Sequence, residues 1–346
     1  METNYAAFQV RSKRKPFDVD EAEDRFPDED EIVIQNVSVS VNPIDNALQD
    51  GYVQNMTYPT ILGADVAGEV VMVGSQVNRF SEGDRVMGHA LRLATQDDRH
   101  AGFQLYTVLL ANMACPIPPE LSYEDASTLP LGISTAAAAL FQKTTLALEP
   151  PVTFPPARDE WVIIGGATGN VGSHGVRLAS AAGYKVLALA GTSADSVNLV
   201  KNKLGAAEVV DSRLKAGPLA DKLVAVLSGK TIAGAFDASG FPDPITGIAN
   251  AVSRLQGAKT VALVSDDYQG SDIPRNVDMK LIQAIDIRNN EVGNMVWADF
   301  LPDALATGKY FVPYPKARVF GNGLRQVQGA IEAKKGSGEK SVVTLN

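Results

Sequence analysis

The chain has 346 residues, of which 45% are apolar and 21% charged, with a net charge of -9. That length exceeds what a single core usually covers, so two domains of a globular protein are expected. The acidic balance opposes binding to nucleic acid or to anionic membrane surfaces, and the single cysteine, Cys115, excludes an intrachain disulfide or a multi-thiolate zinc site. The N-terminal residues hold no apolar run of signal-peptide length and no later stretch approaches a membrane span, so a cytoplasmic protein without membrane contact is expected.

Residues 5–10 and 31–41 alternate apolar and polar side chains, as half-buried strands do, and bracket the polar segment Lys13 to Glu29. Val41-Asn42-Pro43-Ile44-Asp45 ends the second strand at a proline, which places Asn42 and Asp45 where strand gives way to loop. Strand patterns then alternate with glycine turns through residues 63–74 and 80–88, as in a small, bent, partly open barrel. A further strand is expected over residues 102–111, followed by Cys115, a buried filler by its apolar setting. Ser122 and Asp125 mark a helix start; a second helix is expected from about Ser134 to Phe141, and a proline-rich loop spans residues 149–156.

Trp161 to Gly172 runs a short apolar strand into three glycines, Gly166, Gly169 and Gly172, with Thr168, Asn170 and Val171 between them. One glycine permits the sharp turn, one lets backbone approach a pyrophosphate and one lets helix pack on strand; helix N-terminal amides then face the anion. The spacing GxxGxxG is one residue longer than the common fingerprint, so a glycine turn without a ligand reads the same until its surroundings are considered. Those surroundings alternate. Helices are expected over residues 174–182, 194–204, 219–227 and 244–253, and strands over 185–190, 208–211, 232–237 and 259–264, which implies a parallel sheet covered on both faces. A strand over 279–287, a helix over 291–306, a helix over 324–333 and a closing strand over 341–345 complete the chain.

Gly63-Ala64-Asp65-Val66-Ala67-Gly68-Glu69-Val70, Gly83-Asp84-Arg85-Val86, the Thr128 to Ala136 segment and the glycine turn together resemble the medium-chain dehydrogenase/reductase superfamily. Val41 to Asp45, the proline-rich loop and residues 296–310 are most similar to its zinc-free enoyl reductase and quinone oxidoreductase branch, fungal trans-enoyl reductases in particular. The resemblance implies a GroES-like, partly open β-barrel domain over residues 1–128 and 300–346, and a Rossmann doubly wound parallel-sheet domain over residues 129–299. In zinc alcohol dehydrogenases of this superfamily a cysteine stands in place of Asn42, and Gly-His-Glu in place of Gly63-Ala64-Asp65. His89, His100 and His174 lack partners at metal spacing, so no metal is expected.

Conjugate reduction needs a Lewis acid less than carbonyl reduction does. The expected reaction is therefore hydride transfer from NADPH to an activated double bond, an α,β-unsaturated carbonyl that is free or thioester-carried, with hydrogen-bond donors stabilising the enolate. By resemblance, Thr135 supplies a hydroxyl, Asn42 lines the substrate side and Asp45 the cofactor side. The alternatives are a helix-terminal threonine and an Asx turn. Tyr52 is a further donor candidate, or a packing residue. After Ala190 the second strand of the nucleotide domain ends Gly191-Thr192-Ser193 with no acid for a ribose. Thr192, Ser193, Lys201 and Arg213 are therefore expected to hold a 2′-phosphate, while Asp195 suits a helix first turn. The resemblance adds Ser212 near the adenosine and Val342-Val343 near the nicotinamide. Trans-enoyl reductases that serve polyketide synthases often carry Trp-Lys where Asn46-Ala47 stands, which weighs against such a partner. Quinone reduction and a non-catalytic NADPH-binding role are the competing readings.

Overall fold

The computed structural model describes residues 2–53, 56–268, 273–310, 314–333 and 338–345. The chain opens with β1 (Tyr5–Gln9), β2 (Asp18–Glu21), β3 (Glu31–Ser40), α1 (Pro43–Gln49), β4 (Thr60–Ile61), β5 (Asp65–Val73), β6 (Arg85–His89), α2 (Arg92–Thr95), β7 (Tyr106–Leu110), β8 (Ala114–Pro116), α3 (Tyr123–Ser127) and α4 (Pro130–Phe141). There follow β9 (Trp161–Gly165), α5 (Asn170–Ala181), β10 (Lys185–Ala190), α6 (Ala194–Asn198), β11 (Glu208–Asp211), α7 (Ala216–Val226), β12 (Thr231–Asp237), α8 (Pro242–Arg254), β13 (Gln256–Gly257), β14 (Thr260–Leu263) and β15 (Asp278–Leu281). The tail forms α9 (Glu291–Asn294), α10 (Leu301–Ala306), β16 (Lys316–Asn322), α11 (Val327–Glu332) and β17 (Glu339–Thr344). Two compact units result: Met1–Leu131 with Trp297–Ala306 and Val312–Asn346, and Gly132–Val296 with Thr307–Phe311.

In the first unit, one sheet runs β16-β17-β3-β5-β6-β8 with β7 also on β3, and a smaller one runs β2-β1-β4. β3 is the axis. Its first half pairs with β7 and its last three residues with β17, while β5 follows it throughout across two register shifts. Such bulges bend a sheet into a partly open barrel. The period of two sorts its side chains: Ile32 and Ile34 enter the main core, while Val33 packs with Tyr106 and Val108 on the other face. The tail does return to this unit, since β17 lies antiparallel on β3 with Val343 opposite Val39.

In the second unit, the parallel order β11-β10-β9-β12-β14-β15 is the doubly wound arrangement, its first strand at the centre. Val162, Ile163 and Ile164 are fully buried, as a strand covered on both faces requires. Ile163, Leu187, Leu189, Leu219, Leu223, Ile248 and Val252 share one core cluster.

Several local expectations are corrected. Residues 43–49 form a helix rather than a loop: Asn42 is its N-cap, Pro43 needs no N–H at the first position, and Asp45 accepts from the Asn42 backbone N–H at 2.7 Å. The strand expected to Ile287 stops at Leu281 and yields to a 3-10 turn over Ala284–Asn289 that buries Ile287. Residues 291–306 are helical but widen to a π-segment at Met295–Phe300, just before Pro302, a residue that lacks the N–H of a regular helix. α4 and α5 each begin four residues earlier than expected, at Pro130 and Asn170. No described helix is long and apolar enough to cross a membrane.

Candidate active site

The glycine turn lies at the centre of the second unit's sheet, where β9 passes between β10 and β12 and ligands of such folds bind beyond the strand ends. Gly166 has φ +68°, and a Cβ there would meet the Ser239 amide nitrogen at 2.9 Å; one on Gly172 would meet the Gly166 carbonyl oxygen at 2.1 Å. The turn itself therefore requires both glycines. Gly169 differs. Its φ of -83° suits any residue, and its Cβ would lie 3.2 Å from the Gly166 oxygen. It is the N-cap of α5 and brings no side chain to that helix end, so a side-chain-free cradle faces outward, as a phosphate needs. Thr168, Asn170 and Val171 are half-buried around it. The Asn170 Oδ1 is buried with no hydrogen-bond partner among the described residues. Beside the turn, Asp237 at the end of β12 accepts from the Ser239 and Gly240 amides at 3.1 and 2.9 Å. Burial raises its carboxyl pKa despite those bonds.

At the tip of β10, Arg213 donates to the Thr192 hydroxyl at 2.8 Å and grips Asp211 with Nε and a terminal nitrogen, each at 2.9 Å. The bonds from Arg213 pull the Asp211 carboxyl down to about 2. Ser212, Arg213, Leu214, Phe241 and Pro242 line a shallow cleft of about 320 Å3, with Phe241 67% exposed. Ser193 serves as the cap of α6, its hydroxyl accepting from the Ser196 amide at 3.2 Å. Lys201 pairs at 3.2 Å with Glu208, which opens β11 at the end opposite Asp211. Thr192, Ser212 and Arg213 are thus brought together and Lys201 is not.

The first unit holds a buried polar cluster that sequence reasoning missed. Asp65, 0% exposed, accepts through Oδ2 from the Asn42 amide at 2.8 Å and from Lys340, and through Oδ1 from the Leu131 backbone N–H at 2.6 Å. Lys340 also donates to the Thr128 carbonyl at 2.9 Å. His89 stands opposite Asp65 on β6; burial pushes its pKa down to about 4, against the Asp65 charge, so it is neutral. Its Nδ1 has no hydrogen-bond partner among the described residues. His100 bonds Glu31 and His174 bonds the Tyr310 hydroxyl, both at 2.7 Å. Among the described residues no group of three His, Cys, Asp or Glu is placed to hold a metal ion.

Thr135 is 8% exposed and six residues into α4, so it is not a helix-terminal threonine. Asp45 is a buried capping residue. Tyr52 is 73% exposed, which removes the packing alternative. Val343 is fully buried in the first unit's core. Cys115 is buried, and burial pushes its thiol pKa far up, consistent with a filler. The missed residues carried faint signals: Asp65 stood in the Gly-Ala-Asp run, and Phe241 follows the turn that ends the fourth parallel strand.

Residues 28–119 match the alcohol dehydrogenase GroES-like domain. Over 99% of its length the chain is 42% identical to the zinc-binding alcohol dehydrogenase domain-containing protein cipB of Emericella nidulans, covering 98% of that protein. It is 35% identical to the trans-enoyl reductase himH of Aspergillus japonicus, again over 99% and 98% of the two chains. Among solved structures, a mycobacterial protein in complex with NADPH shares the fold, with a TM-score of 0.69 at 19% identity over 99% and 100% of the two chains. With a GroES-like barrel, a doubly wound parallel sheet and end-to-end relatives of this kind, the chain is an oxidoreductase that belongs to the medium-chain dehydrogenase/reductase superfamily.

Proposed function

We propose that the protein reduces the double bond of an α,β-unsaturated carbonyl compound with NADPH and without a metal. The observation that carries this reading is Asn42. It stands where zinc relatives place a cysteine ligand, and its amide is committed to Asp65 rather than offered to an ion. Ala64 at the histidine position supports the same reading, as does the similarity to the trans-enoyl reductase himH.

The residues fit the dinucleotide. Gly169 and the uncapped N-terminus of α5 would hold its pyrophosphate. Thr192 and Arg213 would hold the 2′-phosphate at a strand tip that carries no acid, and Phe241 gives the adenine a flat apolar face. When bound, NADPH supplies the hydride that adds to the β-carbon of the acceptor. The chain's task is the charge that then builds on the carbonyl oxygen. The Thr135 hydroxyl is the donor assigned to that oxygen, Asn42 orients the reactants, and the exposed Tyr52 phenol or solvent delivers the proton to the α-carbon. Substrate is a small molecule or a thioester, and no nucleic acid or membrane is engaged. A panel of enones, enoyl thioesters and quinones with NADPH as donor tests the reading. Turnover of enones and thioesters ahead of quinones supports it, and exclusive turnover of quinones replaces it with a quinone reductase.

A further inference from the structure

We propose that the Asn170 side chain is a further binding group of the dinucleotide site: its carboxamide, seated on Gly132, directs Nδ2 to a phosphate oxygen of the pyrophosphate. This rests on the reading of the glycine turn given above, in which the start of α5 meets that group. Asn170 is the first residue of α5, directly after Gly169, and it, Gly132 and the turn all belong to the second unit. Its Oδ1 is sealed from water and accepts from no described residue, although buried acceptors in folded chains are paired as a rule. Gly132 lies against it: a Cβ there would come within 2.7 Å of Oδ1 and 3.0 Å of Cγ. The hydrogen that glycine carries in place of a Cβ therefore points at the oxygen, a C–H···O contact. The reverse orientation would seal two N–H donors without an acceptor, a larger loss.

Oδ1 thus faces a wall, and covalent geometry turns Nδ2 the other way. Asn170 as a whole is half-buried, so the residue stays within reach of a ligand although its oxygen does not. Beside it, Gly169 is exposed and brings no side chain, and the first N–H groups of a helix have no partner within it. An anion at this helix end accepts from those amides and from Nδ2 alike, and hydrogen bonds to a charged acceptor are the strong ones. An unpaired oxygen on the inner side is what it costs to hold a donor on the outer side, and a small apolar residue at position 170 would avoid that loss.

The test is calorimetric titration with NADPH, NADH and adenosine 2′-phosphate, the last of which lacks the pyrophosphate. Asn170→Asp keeps the shape, removes the donor and adds a charge that favours a helix start, so the thermal stability of the free protein holds or rises. Its Kd for NADPH and for NADH is expected to rise about tenfold or more, with that for adenosine 2′-phosphate within about twofold of wild type. Asn170→Ala is expected to weaken both dinucleotides about threefold to tenfold. Gly132→Ala, whose methyl displaces the carboxamide, weakens them on its own and adds nothing in the Asn170→Ala background. NADPH binding by Asn170→Asp within about twofold of wild type, or an equal loss for adenosine 2′-phosphate, overturns the proposal. Wild type that binds neither dinucleotide overturns the cofactor reading along with it, whereas wild type that binds NADPH and reduces no acceptor overturns the proposed activity alone.

Discussion

Arg213 donates to the hydroxyl of Thr192 across 2.8 Å and so joins the tip of β10 to the residue two positions beyond β11. Asp211 accepts from Nε and a terminal nitrogen of the same guanidinium and fixes its place at the strand tip, where its charge suits a phosphate. Arg213→Ala is expected to weaken NADPH binding about tenfold and to leave NADH binding within about twofold, as read by fluorescence titration of each cofactor. Equal weakening of both would place Arg213 outside the 2′-phosphate site.

The three glycines of the turn divide by cause. Gly172→Ala would drive a Cβ to 2.1 Å from the Gly166 carbonyl oxygen, and the expected result is loss of soluble folded protein. Gly169→Ala meets only a 3.2 Å contact in an ordinary backbone conformation. Its expected cost in stability is about 1 kcal/mol or less, whereas its methyl occupies the phosphate's approach and NADPH affinity falls about tenfold or more. Thermal melts with and without NADPH separate the two effects.

This contrast marks where the sequence was legible. The glycine spacing, the alternation of strand and helix, and the returning tail are local patterns, and they led to the barrel and the doubly wound sheet. Asp65 and Lys340 stand 275 residues apart, and no periodicity links residues so distant, so their pairing had no trace in the chain. The charge of Lys201 was visible but its direction was not, because only the register of β11 shows that Glu208 lies at the far strand end. The helix after Asn42 was signalled by Asn, Pro and Asp at cap, first and third positions, yet the proline read first as the end of a strand.

His89 is expected to make stability depend on pH. Burial lowers its folded pKa from 6.5 to about 4, with Lys340 acting in the same direction and Asp65 against it. Above pH 6.5 the histidine is neutral folded and unfolded. Between 6.5 and about 4 only the unfolded chain binds the proton, so stability falls as pH falls, by about 1.4 kcal/mol per pH unit and about 3 kcal/mol in all. His89→Gln removes this slope. Urea melts of both proteins across that window read the difference, and parallel curves would show that His89 titrates normally.

Thr135 is the sixth residue of α4, inside the helix rather than at its start. Thr135→Val keeps the shape and removes the donor. The account expects kcat on an enone to fall about 100-fold with the NADPH Kd unchanged, the pattern of a contact that strengthens as charge develops. A rise in KM alone would make Thr135 a packing residue of the substrate site.

The central claim is metal-free, NADPH-dependent reduction of an activated double bond. It is tested most directly by initial rates of NADPH oxidation with a panel of α,β-unsaturated carbonyl compounds, before and after exhaustive dialysis against chelator. The account predicts oxidation of NADPH in step with saturation of the acceptor, at a rate that dialysis leaves unchanged. No NADPH oxidation with any such acceptor, or a rate that dialysis abolishes and zinc restores, would contradict it.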